Sequence, residues 1–386
     1  MKGLKIATVV IIITGIGWFI YDNNTPYITE ENQTESVDSV ISVMSTDYTI
    51  MPGVHHENLD VFLIQRNPEL TDKSYLPLAD ALEKKLVTIE ETSTVNELVV
   101  HNHSDQFVFI HSGDIVKGGK QDRTLAFDVI LPPKTENIAL QSFCVESGRW
   151  ANRGDEDATQ FNESTKMLSS KDLKAAAKYE KDQSIVWANV SEEQNKLNSN
   201  VSRINGYDVQ VQDAASATSL QLTLENEELE KAKADMNQLY LSLAEKHPKA
   251  TGFAYTINGE VYGADLYNNR DLFVSLWDRL IESVIIESIA NLQDTTYSAA
   301  SKDDVLQFMT AVTNSSESTI HKRTESVNSI TEINITENDS GHVVFSTVDL
   351  DENKWIHQNY LLITPRNEVE DFPPLMQYNQ IQQLRN

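Results

Sequence analysis

Cysteine is almost absent from this chain. Cys144 is the single one among 386 residues, so no disulfide can form within the chain and the fold must stand on packing. Basic residues are scarce as well: 58 Asp and Glu face 31 Lys and Arg, a formal charge of -27. Such a surface repels nucleic acid and anionic membranes, so an anionic ligand would need local positive charge. The chain has no Walker loop, no zinc-binding helix and no Ser, His, Asp order, which removes the commonest motif-borne chemistries. No internal repeat and no Pro/Gly-rich linker divides it. With 40% hydrophobic residues it can build a sizeable core. The expectation is one α+β domain over 40–365, mainly an antiparallel β core with packed helices.

The stretch from His111 to Trp150 gathers glycines, charges and the lone cysteine between two strand-like runs. Over 121–131 the odd positions are Gln, Arg, Leu, Phe, Val and Leu, a period of two that fits a strand with one buried face. The run 138–146 repeats that period, and Pro132 with Pro133 places a loop over about 132–137. This predicts a hairpin pairing Leu131 with Ile138, Leu125 with Cys144 and Arg123 with Glu146. The last pair would be a partly desolvated ion pair, with Gln121 and Arg149 as further donors and Asp122 on the opposite face. Gly118 and Gly119 just upstream favour a turn of converging N–H groups, which suits an anionic or polyhydroxylated ligand. A structural ion pair at a sheet edge is the competing explanation. Cys144, mid-strand and away from any histidine in sequence, is expected to be a small buried apolar residue.

The segments GDIVKGGKQDR and FCVESGRW resemble the signature of a domain family named for its association with ADP-ribosylglycohydrolases and with rhodanese and phosphatase superfamily proteins. The QSIVW run at 183–187, NGEVYGADLY and the following FVSLWDRLIES are similar to the same family. The resemblance covers about 45–364. It implies an association with nucleotide-sugar or phosphate-ester metabolism and no particular reaction. By position it puts forward Gly118, Gly119, Gln121, Arg123, Glu146, Arg149 and Trp150.

Elsewhere the chain is easier to parse. Lys2 and Lys5 precede an uncharged apolar run, 6–21, and then a polar, acidic tether over 23–39. Residues 1–22 thus form a membrane anchor or an export signal. Bulky Trp18, Phe19, Ile20 and Tyr21 argue against a cleavage site, and the lysines put the N-terminus in the cytoplasm and the body outside it. The expected location is a single-pass cell-membrane protein with an extracytoplasmic bulk, or a secreted or periplasmic protein after cleavage. Strands are expected at 40–44, 59–65, 86–91, 97–102 and 106–111, with one short helix at 77–85. Helices are expected at 170–185 and 225–246, and Asn258-Gly259 marks a second hairpin. Leu272, Phe273, Leu276, Trp277, Leu280 and Ile281 trace a core helix capped by Asn268 or Asn269. Strands near 329–336, 342–350 and 354–363 precede a polar tail, 366–386.

Two functional expectations follow. The first is a module that binds a small sugar- or nucleotide-like ligand through Gly118, Gly119, Gln121, Arg123, Glu146, Arg149 and a stacking Trp150. The alternative is a hydrolase of a glycosidic or phosphate-ester bond with Glu146 as general acid or base and Asp114 or Asp122 as second carboxylate. No cofactor and no metal is expected: His101-Asn102-His103 is similar to the start of a cupin motif, but Phe107 and Val108 stand where its glutamate belongs. A protein partner is left open, and a purely structural or partner-binding role is the remaining reading.

Overall fold

Antiparallel pairing of strands with one or both faces buried accounts for most of the architecture. The structure is a computed structural model that describes residues 48–66, 73–92, 94–312 and 319–363. The apolar run at 6–21, the tether, the strand expected at 40–44 and the tail from 366 lie outside them. The described residues belong to one compact unit, Glu35–Asn386. Its fold is α+β with mainly antiparallel sheets. Among the described residues no helix is long and apolar enough to cross a membrane.

The largest sheet has nine strands. In spatial order it runs Tyr48–Ile50, Leu59–Arg66, Ala250–Ile257, Glu260–Tyr267, Lys354–Leu362, His342–Asp349, Thr331–Asn338 and Ile320–Ser326, with Val54–His56 also paired to Leu59–Arg66. Its central hairpin turns at Asn258 and Gly259, whose φ values of 53° and 80° give the primed turn that an Asn-Gly pair favours. All of Ala250–Ile257 is buried because both faces are covered. Phe253, Tyr255 and Ile257 join the main core, while Ala254 joins a second cluster with Phe308 and Met309 of the Lys302–Thr310 helix. The Arg270–Ala290 helix covers the main-core face, with Trp277 edge-on to Phe253 at 5.3 Å between ring centroids. Asn269 caps this helix by accepting from Leu272 N at 2.9 Å, as the sequence suggests.

The expected hairpin of 121–131 with 138–146 is corrected by the structure. The first run breaks into Arg123–Leu125 and Val129–Leu131, and the two pieces enter different sheets. Arg123–Leu125 lies in a six-stranded sheet beside Thr135–Cys144, with Leu125 opposite Ser142 and Cys144 opposite Arg123. That is two residues from the expected register, so the same faces are buried but Glu146 is not opposite Arg123. Val129–Leu131 instead pairs with Phe107–Ile110, which is parallel to Tyr75–Pro77. The break falls at Asp128, whose carboxylate leaves the pleat to meet Ser112 N at 2.7 Å and the His357 ring at 2.7 Å.

Two helical expectations also change. Residues 170–185 hold Lys171–Ala175, a π-helical turn Ala176–Glu180, and then the start of a 23-residue helix, Gln183–Asn205, capped by Asp182. Residues 225–246 divide into Glu227–Ala232, Ala234–Tyr240 and Leu243–Lys246. The first division falls at Lys233, whose ammonium turns inward between Glu230 and Glu282.

Candidate functional site

The residues singled out in sequence do come together, with partners other than those expected. Asp122 precedes its strand and is free of the pleat's alternation, so it sits beside Glu146: its backbone N–H donates to Glu146 Oε2 at 3.1 Å. Arg149 grips Glu146 through Nε and Nη2, both at 2.7 Å. Arg153 donates to both oxygens of Asp122, at 2.9 and 3.1 Å. Asp122 also accepts from Ser219 Oγ at 2.8 Å and from Gly118 N at 3.0 Å. Gly119 N is taken by the carbonyls of Asp157 and Gln160. Thus the anion offered to the diglycine turn is the chain's own Asp122. Positive φ at Gly118 and Gly119, 122° and 53°, makes this approach possible, and a Cβ on Gly119 would sit 2.4 Å from the Phe161 ring. Gln121 donates to the Glu146 carbonyl at 2.8 Å, while fully buried Arg123 reaches Glu91 at 3.3 Å. Trp150 is 40% exposed, with Lys120 Nζ 5.5 Å from its ring centroid. Burial lifts the Cys144 thiol to about 11, so it stays protonated.

Glu146 and Asp122 are fully enclosed and ringed by guanidinium groups. A carboxylate so held is a tie between segments, and both carboxylates of the network are satisfied from within it, while Gln121 Oε1 and Arg123 Nε are buried without a hydrogen-bond partner.

A cleft opens elsewhere, between the Gln183–Asn205 and Arg270–Ala290 helices and the start of Lys171–Ala175. It is a small, half-open depression whose lining includes Lys171, Asn189, Glu193, Lys196, Tyr262 and Glu287. Glu193 and Glu287 are 3% and 0% exposed. Burial, and then the neighbouring Glu287, push the Glu193 carboxyl up to about 8; Ser169 Oγ donates to it at 3.0 Å. Burial also raises Glu287, offset in part by Lys174 and by bonds from Lys171 N at 2.7 Å and Tyr255 Oη at 2.8 Å. Burial and like charge thus both favour a proton on the pair. Lys171 Nζ stands 4.0 Å from the Tyr262 ring centroid at the same cleft. Polar groups around a concave site, with a carboxyl titrating near neutrality, are the features expected of a binding or acid-base site.

A third polar cluster lies inside the fold. His357 bridges Asp128 at 2.7 Å through Nδ1 and Asp265 at 2.9 Å through Nε2. Burial alone would lower His357, but Asp128 and then Asp265 outweigh it and hold the imidazolium to about 9. Burial alone would raise Asp265, but His357 draws it down to about 2. Lys178, on the π-helical turn, donates to Asn359 Oδ1, and burial lowers it to about 8. His111 lies beside them, with ring centroids 4.7 Å from His357, and burial lowers it to about 4. Among the described residues, His111, Asp265 and His357 place ligating atoms within 4.8 Å of one another. In sequence His357 and Asp265 read only as members of strands. Nothing in the sequence singles out this group; the His101 and His103 rings stack 6.0 Å apart and His103 is exposed.

The sheets and these three clusters define an α+β domain with ionisable groups concentrated in its interior. The family model of the ARG and Rhodanese-Phosphatase-superfamily-associated Protein domain, ARPP-1, matches residues 47–361, and the chain belongs to that family. No curated protein and no solved structure gives a significant match.

Two predictions test these assignments. Asp122→Ala strands Arg153 and the Gly118 turn, and should cost about 3–5 kcal/mol in urea unfolding, as expected for a buried ion-pair partner removed alone. Glu193 has a folded pKa above its unfolded value, so the folded state binds more protons between about pH 4.5 and 8. Its favourable contribution is complete below that window and is lost as pH rises through it. Glu193→Gln should therefore flatten the fall in Tm across the window, raising Tm at pH 8 by roughly 1–2 °C per kcal/mol of relief in a domain of this size.

Proposed function

We propose that this domain binds a small polar ligand, sugar- or nucleotide-like, in the cleft lined by Glu193 and Glu287. The observation that carries the reading is a pair of buried, neighbouring carboxyl groups at an open cleft, where burial and like charge favour the protonated form. A neutral carboxyl is both donor and acceptor, which suits vicinal hydroxyl groups. Asn189 and Lys196 supply further polar groups, and Tyr262 offers a ring on which a sugar face can rest. Gly118, Gly119, Gln121, Arg123, Glu146 and Arg149 form the frame that closes the β-rich half; Trp150 is the exposed member of that set. The apolar run at 6–21 tethers the domain to the membrane, with the body outside the cytoplasm.

The second reading is hydrolysis of a glycosidic or phosphate-ester bond. Glu193 and Glu287 favour it, because acid-base cleavage needs one carboxyl protonated and another able to ionise. In this version Glu193, with its raised pKa, is the acid in place of Glu146.

A thermal-shift and turnover screen of sugars, nucleotides and phosphodiesters on the full chain tests both. A ligand should raise the wild-type Tm, and Asn189→Ala and Glu193→Gln should reduce that shift, while Trp150→Ala leaves it. A hydrolase would lose turnover at least about 100-fold in Glu193→Gln. A ligand shift unaffected by both cleft substitutions would reject the cleft.

A further inference from the structure

The buried histidines have an arrangement that a charge-balancing network alone does not require. His111 Nδ1 lies 2.7 Å from the Ser112 carbonyl, which can only accept, so Nδ1 carries the proton and Nε2 is left with its lone pair. His357 Nδ1 lies 2.7 Å from the Asp128 carboxylate. His111 is thereby held by an acceptor at Nδ1, His357 has a carboxylate at each nitrogen, Asp128 at Nδ1 and Asp265 at Nε2, and ligating atoms of His111, Asp265 and His357 lie within 4.8 Å of one another. This is the outer-shell pattern of metal-binding histidines, in which a carbonyl or carboxylate fixes the tautomer and orients the second nitrogen. Asp128 is itself fixed by Ser112 N and Thr347 Oγ1, so the supporting group is as constrained as the ring it holds.

From these contacts we infer that His111 Nε2, His357 Nε2 and an Asp265 oxygen form a binding site for a divalent transition-metal ion. Two imidazoles and one carboxylate select borderline ions such as Zn²⁺ or Fe²⁺ over Mg²⁺ or Ca²⁺, which prefer oxygen ligands. The site is independent of the Glu193 cleft.

The fit can be checked from distances. Ligands about 2.0–2.2 Å from one ion stand roughly 3.0–3.6 Å apart. His357 Nε2 and Asp265 Oδ1 are 2.9 Å apart, already close to that range. The full set spans up to 4.8 Å, so His111 needs a displacement of about an ångström. Tyr267 Oη, 2.8 Å from His111 Nε2, must then turn away from that lone pair or become a fourth ligand. On binding, the ion replaces the proton shared by His357 and Asp265; that proton leaves to solvent. Asn359 Nδ2, 2.8 Å from Asp265 Oδ1, keeps the carboxylate oriented.

The test is metal analysis of the full chain purified without a histidine tag from cells grown with supplemented Zn²⁺ and Fe²⁺, followed by Co²⁺ titration of chelator-treated protein. About one equivalent of metal per chain is expected, with a Co²⁺ visible spectrum, both falling at least about tenfold in Asp265→Asn and His111→Gln. His101→Ala, which removes a ring from the surface-side His101 and His103 pair, should leave both unchanged. Should the buried variants fail to fold, the wild-type Co²⁺ spectrum and a metal-dependent rise in wild-type Tm still decide. Below about a tenth of an equivalent with no Co²⁺ spectrum, or metal lost in His101→Ala and retained in Asp265→Asn, the inference fails.

Discussion

A charge removed from water must meet an opposite charge or give itself up, and this constraint shapes the interior of the domain. It is met in three ways. At Asp122 and Glu146, two carboxylates are matched by Arg149 and Arg153 and by donated N–H groups. At Asp128 and Asp265, the imidazolium of His357 stands between two carboxylates. At Glu193 and Glu287 the neighbouring charges have the same sign, and compensation from Lys174, Lys171 and Lys196 is incomplete, so a proton is retained. The first two arrangements join distant segments. The third leaves a titratable group at an open cleft.

These ties also explain how the sheets are joined. Asp128 belongs to the break between two short strands, and His357 to an inner strand of the nine-stranded sheet. Their contact, with Thr347 donating to the same carboxylate, fastens the three-stranded sheet to the large one. A similar role falls to Asp122 near the six-stranded sheet, where Ser219 at the start of the Leu220–Leu224 helix reaches its carboxylate. Removing one partner of such a tie costs more than the tie itself contributes, because the other charge stays buried.

How much of this the sequence reveals depends on the range of the interaction. Period-two runs, the Asn258-Gly259 turn and the Asn269 cap are local, and all are legible. The break at Asp128 is hidden because its cause lies 229 residues away, at His357. The two-residue register offset of Leu125 and Ser142 keeps the same faces buried, so hydrophobic pattern alone cannot distinguish it from the expected pairing. Arg123, Glu146 and Arg149 stand out as charges amid apolar residues, yet the assignment of partners depends on Glu91 and Arg153. Glu287 looks like an ordinary polar position on the core helix and Glu193 lies beyond the helix expected at 170–185; only the packing of Gln183–Asn205 on Arg270–Ala290 makes them neighbours. The signal available was a glutamate within the apolar stripe VIIESIA, where burial of a charge needs a reason.

The central claim is that a carboxyl at the cleft keeps its proton at neutral pH. Carbon-13 NMR titration of protein labelled at the glutamate carboxyl carbon, compared between wild type and Glu193→Gln, measures this directly. One carboxyl resonance should titrate with a midpoint near 8 and be missing from the variant. If every glutamate resonance of the wild type titrates with a midpoint below about pH 5.5, within the ordinary spread for exposed glutamates, the account is contradicted.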